Sequence, residues 1–424
     1  MYNTIGDEAH IIVPLWTNGF YSLDKYMDLK PEAKIKKPSR NPFFVGLLSF
    51  FGGISSDIFI PVLPLYLTNV LNLDKSFIGL TEGVVTASAS IFKVVAGFLS
   101  DKLGKRKPII FLGYFLSFIA RPLLAFTTLA SGILFLRFLD GVGKGVKDSP
   151  KDALIADSTE KSSRGKSFGV VRALDTLGSV VGPLFLFVLL YLLQNNSLKY
   201  HYIFFITAIP LVFTLSILSY FVREVKTKGD TQPSLKFKLP KKFYAFLLIV
   251  LIFSLGNSSD TFLILRAQNV GVGLLAIPLV YALFNFIYAS ASIPLGSLSD
   301  KIGREKVILI GWLAYAFAYL GFGLAKQNYQ IWLLFAFYGL YYATTQGVVK
   351  ALVADLVPSE HRGKAYGIYN TAVGLVALPA SFIAGLLWDK VSPSTPFFFG
   401  SAVAGLSVIL LYYFTHIKFQ KSVI

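Results

Sequence analysis

Residues Gly97–Lys107 read GFLSDKLGKRK, and 199 positions later residues Gly296–Lys306 read GSLSDKIGREK. Two further pairs keep nearly the same offset and the same order. RGKSFG from Arg164 returns as RGKAYG from Arg362, 198 residues on, and SSDIF from Ser55 returns as SSDTF from Ser258, 203 residues on. Near-constant spacing of three motifs makes the chain two parallel repeats, the arrangement in which a binding site falls at the repeat interface near mid-membrane.

Each motif borders a long apolar run. The 424 residues are 54% hydrophobic and 15% charged with mean hydropathy +0.62, too apolar for a soluble domain of this length. A membrane helix needs about 20 mostly apolar residues. Such runs number twelve, at 43–67, 78–99, 109–128, 132–152, 167–193, 202–222, 243–265, 274–297, 307–325, 329–350, 365–387 and 396–416. Strands of a membrane barrel would alternate apolar and polar residues over about 10 positions. These runs are longer and apolar all round, so the predicted fold is an all-α integral membrane protein of two six-helix bundles.

The net charge of +17 is distributed by topology. With the N-terminus inside, loops 101–108, 147–166, 222–242, 300–306 and 350–364 hold 22 Lys/Arg, whereas the opposite loops hold five, Lys75, Lys199, Arg266, Lys326 and Lys390. That is the positive-inside asymmetry, and it assigns the basicity to orientation and anionic lipid, with no nucleic-acid partner. Residues 1–42 lack the basic start and apolar core of a signal peptide. The expected organisation is a cytoplasmic tail over 1–42, a bundle over 43–222, a cytoplasmic linker over 223–242, a second bundle over 243–416 and a cytoplasmic tail over 417–424. The chain has no cysteine, which excludes disulfides and thiolate metal sites.

Here the sequence resembles the major facilitator superfamily. Gly97, Leu99, Asp101, Lys102, Gly104, Lys105, Arg106 and Lys107 match its signature between helices 2 and 3. Gly296, Leu298, Asp300, Lys301, Gly303, Arg304 and Lys306 match the echo between helices 8 and 9, with Glu305 the departure. Arg137, Gly141 and Gly143 meet the helix 4 signature. Gly178, Gly182 and Pro183 meet half of the helix 5 antiporter signature, with LFLF where that signature has paired glycines. SSDIFIPVLPLYLT and RFLDGVGKGVKDSPKDALIADS are also similar to a bacterial branch of the superfamily. The resemblance implies a twelve-helix transporter and a cytoplasmic gate at Gly97, Asp101, Gly104, Arg106, Gly296, Asp300, Gly303 and Arg304 that closes the inner face in the outward-open state. The same basic loops also set topology by charge alone.

An ionisable side chain within a span costs at least ~2.5 kcal/mol on insertion scales, so each should face the interior and have a partner or a task. Asp57, Glu82, Lys93, Arg121, Arg137, Asp140, Lys144, Arg172, Asp175 and Asp260 all fall within the predicted spans, nine of the ten in the first half. Arg137, Asp140, Lys144, Lys147/Asp148 and Lys151/Asp152 step by three and four along one helix face, and Arg172 and Asp175 on the next helix extend the ladder into either a salt-bridged seam between helices 4 and 5 or a substrate path. A carboxyl held away from water can exchange a proton during a transport cycle. Asp57 is therefore the candidate coupling acid, with Asp140 or Asp175 as relay, and Asp260 its counterpart. The bland alternatives are a permanent pair of Asp57 with Lys93 or Arg121 and of Asp260 with Arg266. Trp312, Trp332 and Trp388 lie near predicted helix ends as interfacial anchors.

The expectation is a monomeric secondary active transporter in the plasma membrane of a bacterium, moving a small polar or ionic solute by alternating access with protons as the coupling ion. The charge-rich cavity leans to a polar or ionic solute, with an anion held by Arg137 and Lys144 as one candidate, and the half-met antiporter signature leans weakly to export. No GxxxxGK[ST] loop is present, so neither ATP nor any other cofactor is expected, and no metal-ligand cluster or catalytic residue is seen. The rivals are a gradient-independent facilitator and a non-transporting receptor or scaffold.

Overall fold

The computed structural model describes residues 40–160, 163–225, 239–358 and 361–420. The N-terminal tail and most of the linker lie outside the described residues. Among them, the first half forms α1 (Asn41–Asn69), α2 (Lys75–Leu103), α3 (Lys107–Leu123), α4 (Ala130–Asp157), α5 (Arg164–Leu192), α6 (Lys199–Ile206) and α7 (Ala208–Tyr220). The second forms α8 (Lys241–Gly256), α9 (Thr261–Asn269), α10 (Ala276–Ile302), α11 (Arg304–Leu324), α12 (Asn328–Asp355), α13 (Arg362–Lys390) and α14 (Thr395–Gln420). A 29-residue helix is about 43 Å long at 1.5 Å per residue, more than the ~30 Å hydrocarbon core. Taking α6 with α7 and α8 with α9 as one span each, ten spans are long and apolar enough to cross a membrane. The other two of the twelve, α4 and α12, have 28 residues each. Charges dilute α4, and tyrosines, threonines and Gln346 dilute α12.

Within the first half α1 packs on α5 and α4 on both α2 and α3; within the second α12 packs on α10 and α11, and α14 on α8 and α11. The halves meet along α2 with α13 and α5 with α10. The α2/α13 crossing requires glycine, because a Cβ on Gly79 would stand 2.1 Å from the Ser381 carbonyl oxygen and one on Gly385 would stand 2.3 Å from that of Lys75.

One face carries the basic loops. There Asn41 bonds Ser158 and the Arg223 carbonyl, each at 2.8 Å, and the Arg106 and Lys107 amides donate to Glu224 at 2.8 and 2.9 Å. Gly104 at φ 60° and Gly303 at φ 98° turn the chain at matching points of the two repeats, the left-handed region that favours glycine. At this basic face the halves part: a Cβ on Gly165, Gly169, Gly296, Gly363 or Gly367 would meet nothing within 4 Å. At the opposite face the close α2/α13 contacts hold them together. The cleft between the bundles therefore opens on the basic face.

Two expectations fail locally. The runs 243–265 and 202–222 are not single helices: the first breaks between Gly256 and Thr261 and the second is interrupted at Thr207. Asn257, Ser258 and Ser259 offer side chains that compete for backbone hydrogen bonds, and the freed groups find partners. The Thr261 amide donates to Ser259 Oγ at 3.3 Å, the Ser259 amide to Ser381 Oγ at 3.2 Å, and the Tyr315 hydroxyl to the Gly256 carbonyl at 2.8 Å. Trp312 and Trp388 are not interfacial anchors. Both are buried, Trp312 stacked on Phe253 with centroids 4.4 Å apart and Trp388 against Phe262 and Phe397, because the second bundle fills its core with aromatic rings.

Candidate functional site

The charges of the first half converge on Asp140. Its carboxylate is fully buried and meets three cations: Arg121 Nε at 3.2 Å, Arg137 at 3.4 Å and Lys144 Nζ at 3.4 Å. Arg137 also pairs with Glu82 on α2, and Arg121 reaches Ser55 Oγ at 2.6 Å and Ser56 Oγ at 3.0 Å on α1. The Phe59 ring lies 5.3 Å from both guanidinium carbons. The predicted ladder is real along α4, but among the described residues its ion pairs run to α2 and α3. Lys93 of α2 joins Asp148 at 3.8 Å. Among the described residues no ion pair joins α4 to α5 in the seam that is one of the two readings, and Arg172 and Asp175 pair with each other at 3.4 Å. Arg172 donates across the bundle interface to the Tyr288 hydroxyl at 2.7 Å.

Asp57 lies midway along α1 with 7% of its surface exposed, and among the described residues no lysine or arginine nitrogen comes within 4 Å of it. Arg121 is bound to Asp140 and Lys93 to Asp148, so neither neutralises it. It faces the hydroxyls of Ser179 on α5 and Tyr281 on α10, the latter from the other half. Pro61 follows four residues later and has no N–H, so the Asp57 carbonyl lacks its helical partner.

Asp260 lies at the break, directly before α9, and makes no side-chain cap. Its carboxylate accepts from the Tyr338 hydroxyl at 2.8 Å and from that of Tyr342 at 3.0 and 3.1 Å. Arg266 does not pair with it: the guanidinium donates to the Phe322, Gly323 and Ala325 carbonyls at 2.9–3.1 Å, closing the C-terminus of α11. Ser259, beside Asp260, lies 3.5 Å from Glu82 of the first half.

The repeats place these groups in register. α4 and α12 run from 130 to 157 and from 328 to 355, an offset of 198 at both ends. Asp140 and Lys144 thus correspond to Tyr338 and Tyr342. Gly113 packs on Lys147 and Gly311 on Thr345, again 198 apart, which matches Arg121 to Tyr319. The latter stands 3.5 Å from Ser258 as Arg121 stands at Ser55. At the offset of the GFLSD motif, Glu82 matches Tyr281. Four charged groups of the first half are tyrosines in the second. Sequence reasoning marked Glu82 and Arg121 as buried charges but passed over Tyr281, Tyr319, Tyr338 and Tyr342, and aligning the repeats residue by residue would have found them.

At the basic face Asp101 is bound by Arg106, which also reaches Ser100 at 2.6 Å and Asp157 at 3.3 Å. In the second half Arg304 pairs with Asp355 at 2.9 Å and Asp300 at 3.6 Å. Gly97 stands against Ser149 of α4, and Gly296 is open. Each of these contacts stays within its own half, so among the described residues no hydrogen bond or ion pair of a predicted gate residue bridges the bundles. Side-chain hydrogen bonds between the halves are found at the centre, such as Asn285 to the Ser179 carbonyl at 2.9 Å, and at the opposite face, where Asp389 accepts from the amides of Lys75 at 3.1 Å and Ser76 at 2.7 Å.

Two bundles of long apolar helices, joined at one face and parted at the other around a cluster of buried charges, fit an integral membrane transporter. Residues 45–266 and 243–422 match the family model of the Major Facilitator Superfamily, and the chain belongs to that family, a transporter and not an enzyme. An uncharacterised MFS-type transporter of Methanocaldococcus jannaschii is 39% identical over 386 residues, 88% of this chain and 94% of that protein. The multi-drug resistance efflux pump PmrA of Streptococcus pneumoniae is 25% identical over 330 residues, covering 73% of this chain and 79% of the pump. The solved structure of a POT family transporter in complex with 5-aminolevulinic acid superposes with a TM-score of 0.76 at 12% identity, over 89% of this chain and 96% of that one.

Proposed function

We propose that this protein is a proton-coupled secondary transporter that carries a small polar organic solute by alternating access, with Asp57 as the coupling acid. The observation that supports the reading most is the contrast between two buried carboxylates. Asp140 is held by three cations, whereas Asp57 has none within 4 Å and sits at the bundle interface. A group fixed in ion pairs stays ionised, and an unpaired buried one can take up and release a proton.

Arg137 and Lys144 are engaged by Asp140 and Glu82, which argues against the anionic candidate. The partly exposed groups Asp260, Tyr288, Tyr342 and Asn257, held by exchangeable hydrogen bonds to other side chains, offer a solute an acid, two hydroxyls and an amide. Kinship with a pneumococcal efflux pump favours export. The excess of Lys/Arg on the basic face favours a cytoplasmic location for that face and for both termini, in the plasma membrane. A thermal-shift screen of the purified protein against metabolites and drugs would identify the solute. In proteoliposomes as a monomer, its accumulation should follow an imposed pH gradient and collapse with a protonophore. Equilibration without accumulation would make the protein a facilitator.

A further inference from the structure

The antiparallel pair α2 and α13 carries more than small-residue packing. Both helices have 29 residues, and each ends in an aspartate near its C-terminus: Asp101 in α2, Asp389 in α13. Because the helices run antiparallel and in contact, the end of each lies beside the beginning of the other. The first backbone amides of a helix have no intrahelical acceptor and carry the positive end of its dipole. At the face opposite the basic loops, Asp389 fills that role for α2 from the other half of the protein, accepting from Lys75 N at 3.1 Å and Ser76 N at 2.7 Å. The residue before α2, Asp74, makes no side-chain cap of its own. At the basic face the corresponding contact is absent among the described residues, and Asp101 is turned to Arg106 instead.

We infer that Asp389 is the latch of the face opposite the basic loops, capping α2 across the bundle interface while that face is shut and releasing it when the face opens. Each end of one helix pair then has its own carboxylate, Asp389 engaged across the interface in this state and Asp101 not, and rigid alternation of the pair would engage them in turn. The inference rests on the alternating-access reading but not on proton coupling.

The chain has no cysteine, so spin labels report only where cysteines are introduced. One pair, Asp74→Cys with Val391→Cys, flanks the latch; a second, Lys102→Cys with Gly363→Cys, spans the basic face. Asp389→Asn should lengthen the first distance, raising the population of the open form about two- to fivefold, the range expected for losing a charge at an exposed helix N-terminus. Asp389→Glu, which keeps the carboxylate, should restore most of the short distance. The second distance should shorten in step. An unchanged first distance in Asp389→Asn overturns the latch. Lengthening of the first without shortening of the second keeps the latch and overturns rigid alternation. Asp389 is exposed, so the variant should fold, and a monodisperse elution profile checks it.

Discussion

Asp140 and Tyr338 occupy the same place in the two repeats, 198 residues apart, and do opposite work: Asp140 gathers Arg121, Arg137 and Lys144, while Tyr338 gives its proton-bearing hydroxyl to Asp260 at 2.8 Å. One half is organised by charge and the other by neutral hydroxyl groups. Mutations at matched positions should therefore fail in different ways.

The first consequence is for stability. Asp140→Asn leaves three buried cations facing a neutral amide, with Glu82 the one other carboxylate within 4 Å of any of them among the described residues, and should cost about 3–5 kcal/mol. Tyr338→Phe removes one hydrogen bond from an otherwise intact aromatic core and should cost about 1–2 kcal/mol. Thermal melts of both variants in one detergent measure the difference, and equal shifts would refute the asymmetry.

Coupling should follow Asp57. Asp57→Asn keeps size and hydrogen bonding but cannot ionise, so it should abolish accumulation driven by a pH gradient and preserve counterflow. Asp260→Asn should retain coupling and weaken solute affinity about tenfold, roughly 1.4 kcal/mol, as expected for losing a charged hydrogen-bond acceptor. Counterflow and gradient-driven uptake in the same vesicles separate the two variants.

Glu82 and Tyr281 should behave as a reciprocal pair. Each reaches the serine-aspartate frame of the other half, Glu82 at Ser259 and Tyr281 at Asp57. Tyr281→Phe keeps the buried ring and removes the hydroxyl that faces Asp57. It should displace the pH profile of transport while leaving counterflow near normal, whereas Phe at Tyr319, which contacts only the second half's frame, should not move that profile.

Arg266 should matter to the fold alone. Arg266→Leu strips the Phe322, Gly323 and Ala325 carbonyls of their donor, and each unsatisfied buried group costs about 1–3 kcal/mol. The melting temperature should fall sharply while the protein that remains folded transports with unchanged coupling. A changed pH profile would place Arg266 in the site instead.

The bundle architecture was legible because apolar run length and repeat offsets are written in the order of residues along the chain and need no knowledge of contacts. The aspartates Asp57 and Asp260 were legible as a pair because a charge among apolar residues stands out. Their partners were not, since an aromatic residue within an apolar run carries no such mark: Tyr281, Tyr338 and Tyr342 read as ordinary core until the repeats are laid over one another. The break before α9 was hidden for a related reason. The same SSD triplet stays helical in α1, where Arg121 occupies both serine hydroxyls, and opens in the second half, where Ser259 is left to bond the backbone. Which alternative a serine takes is decided by a residue some 60 positions away.

Both aspartates also sit where the helical hydrogen-bond ladder is interrupted, Asp57 by Pro61 and Asp260 by the gap after Gly256. A hinge placed at an ionisable group joins a mechanical coordinate to a chemical one. If bending α1 remakes the surroundings of Asp57, then by reciprocity anything that fixes the bend must also change how tightly the proton is held. An antibody fragment or a cross-link that freezes one face would then release or absorb protons on binding, with no solute present. Two calorimetric titrations in buffers of different ionisation enthalpy would weigh those protons, and so read the protein's shape through its acid–base chemistry.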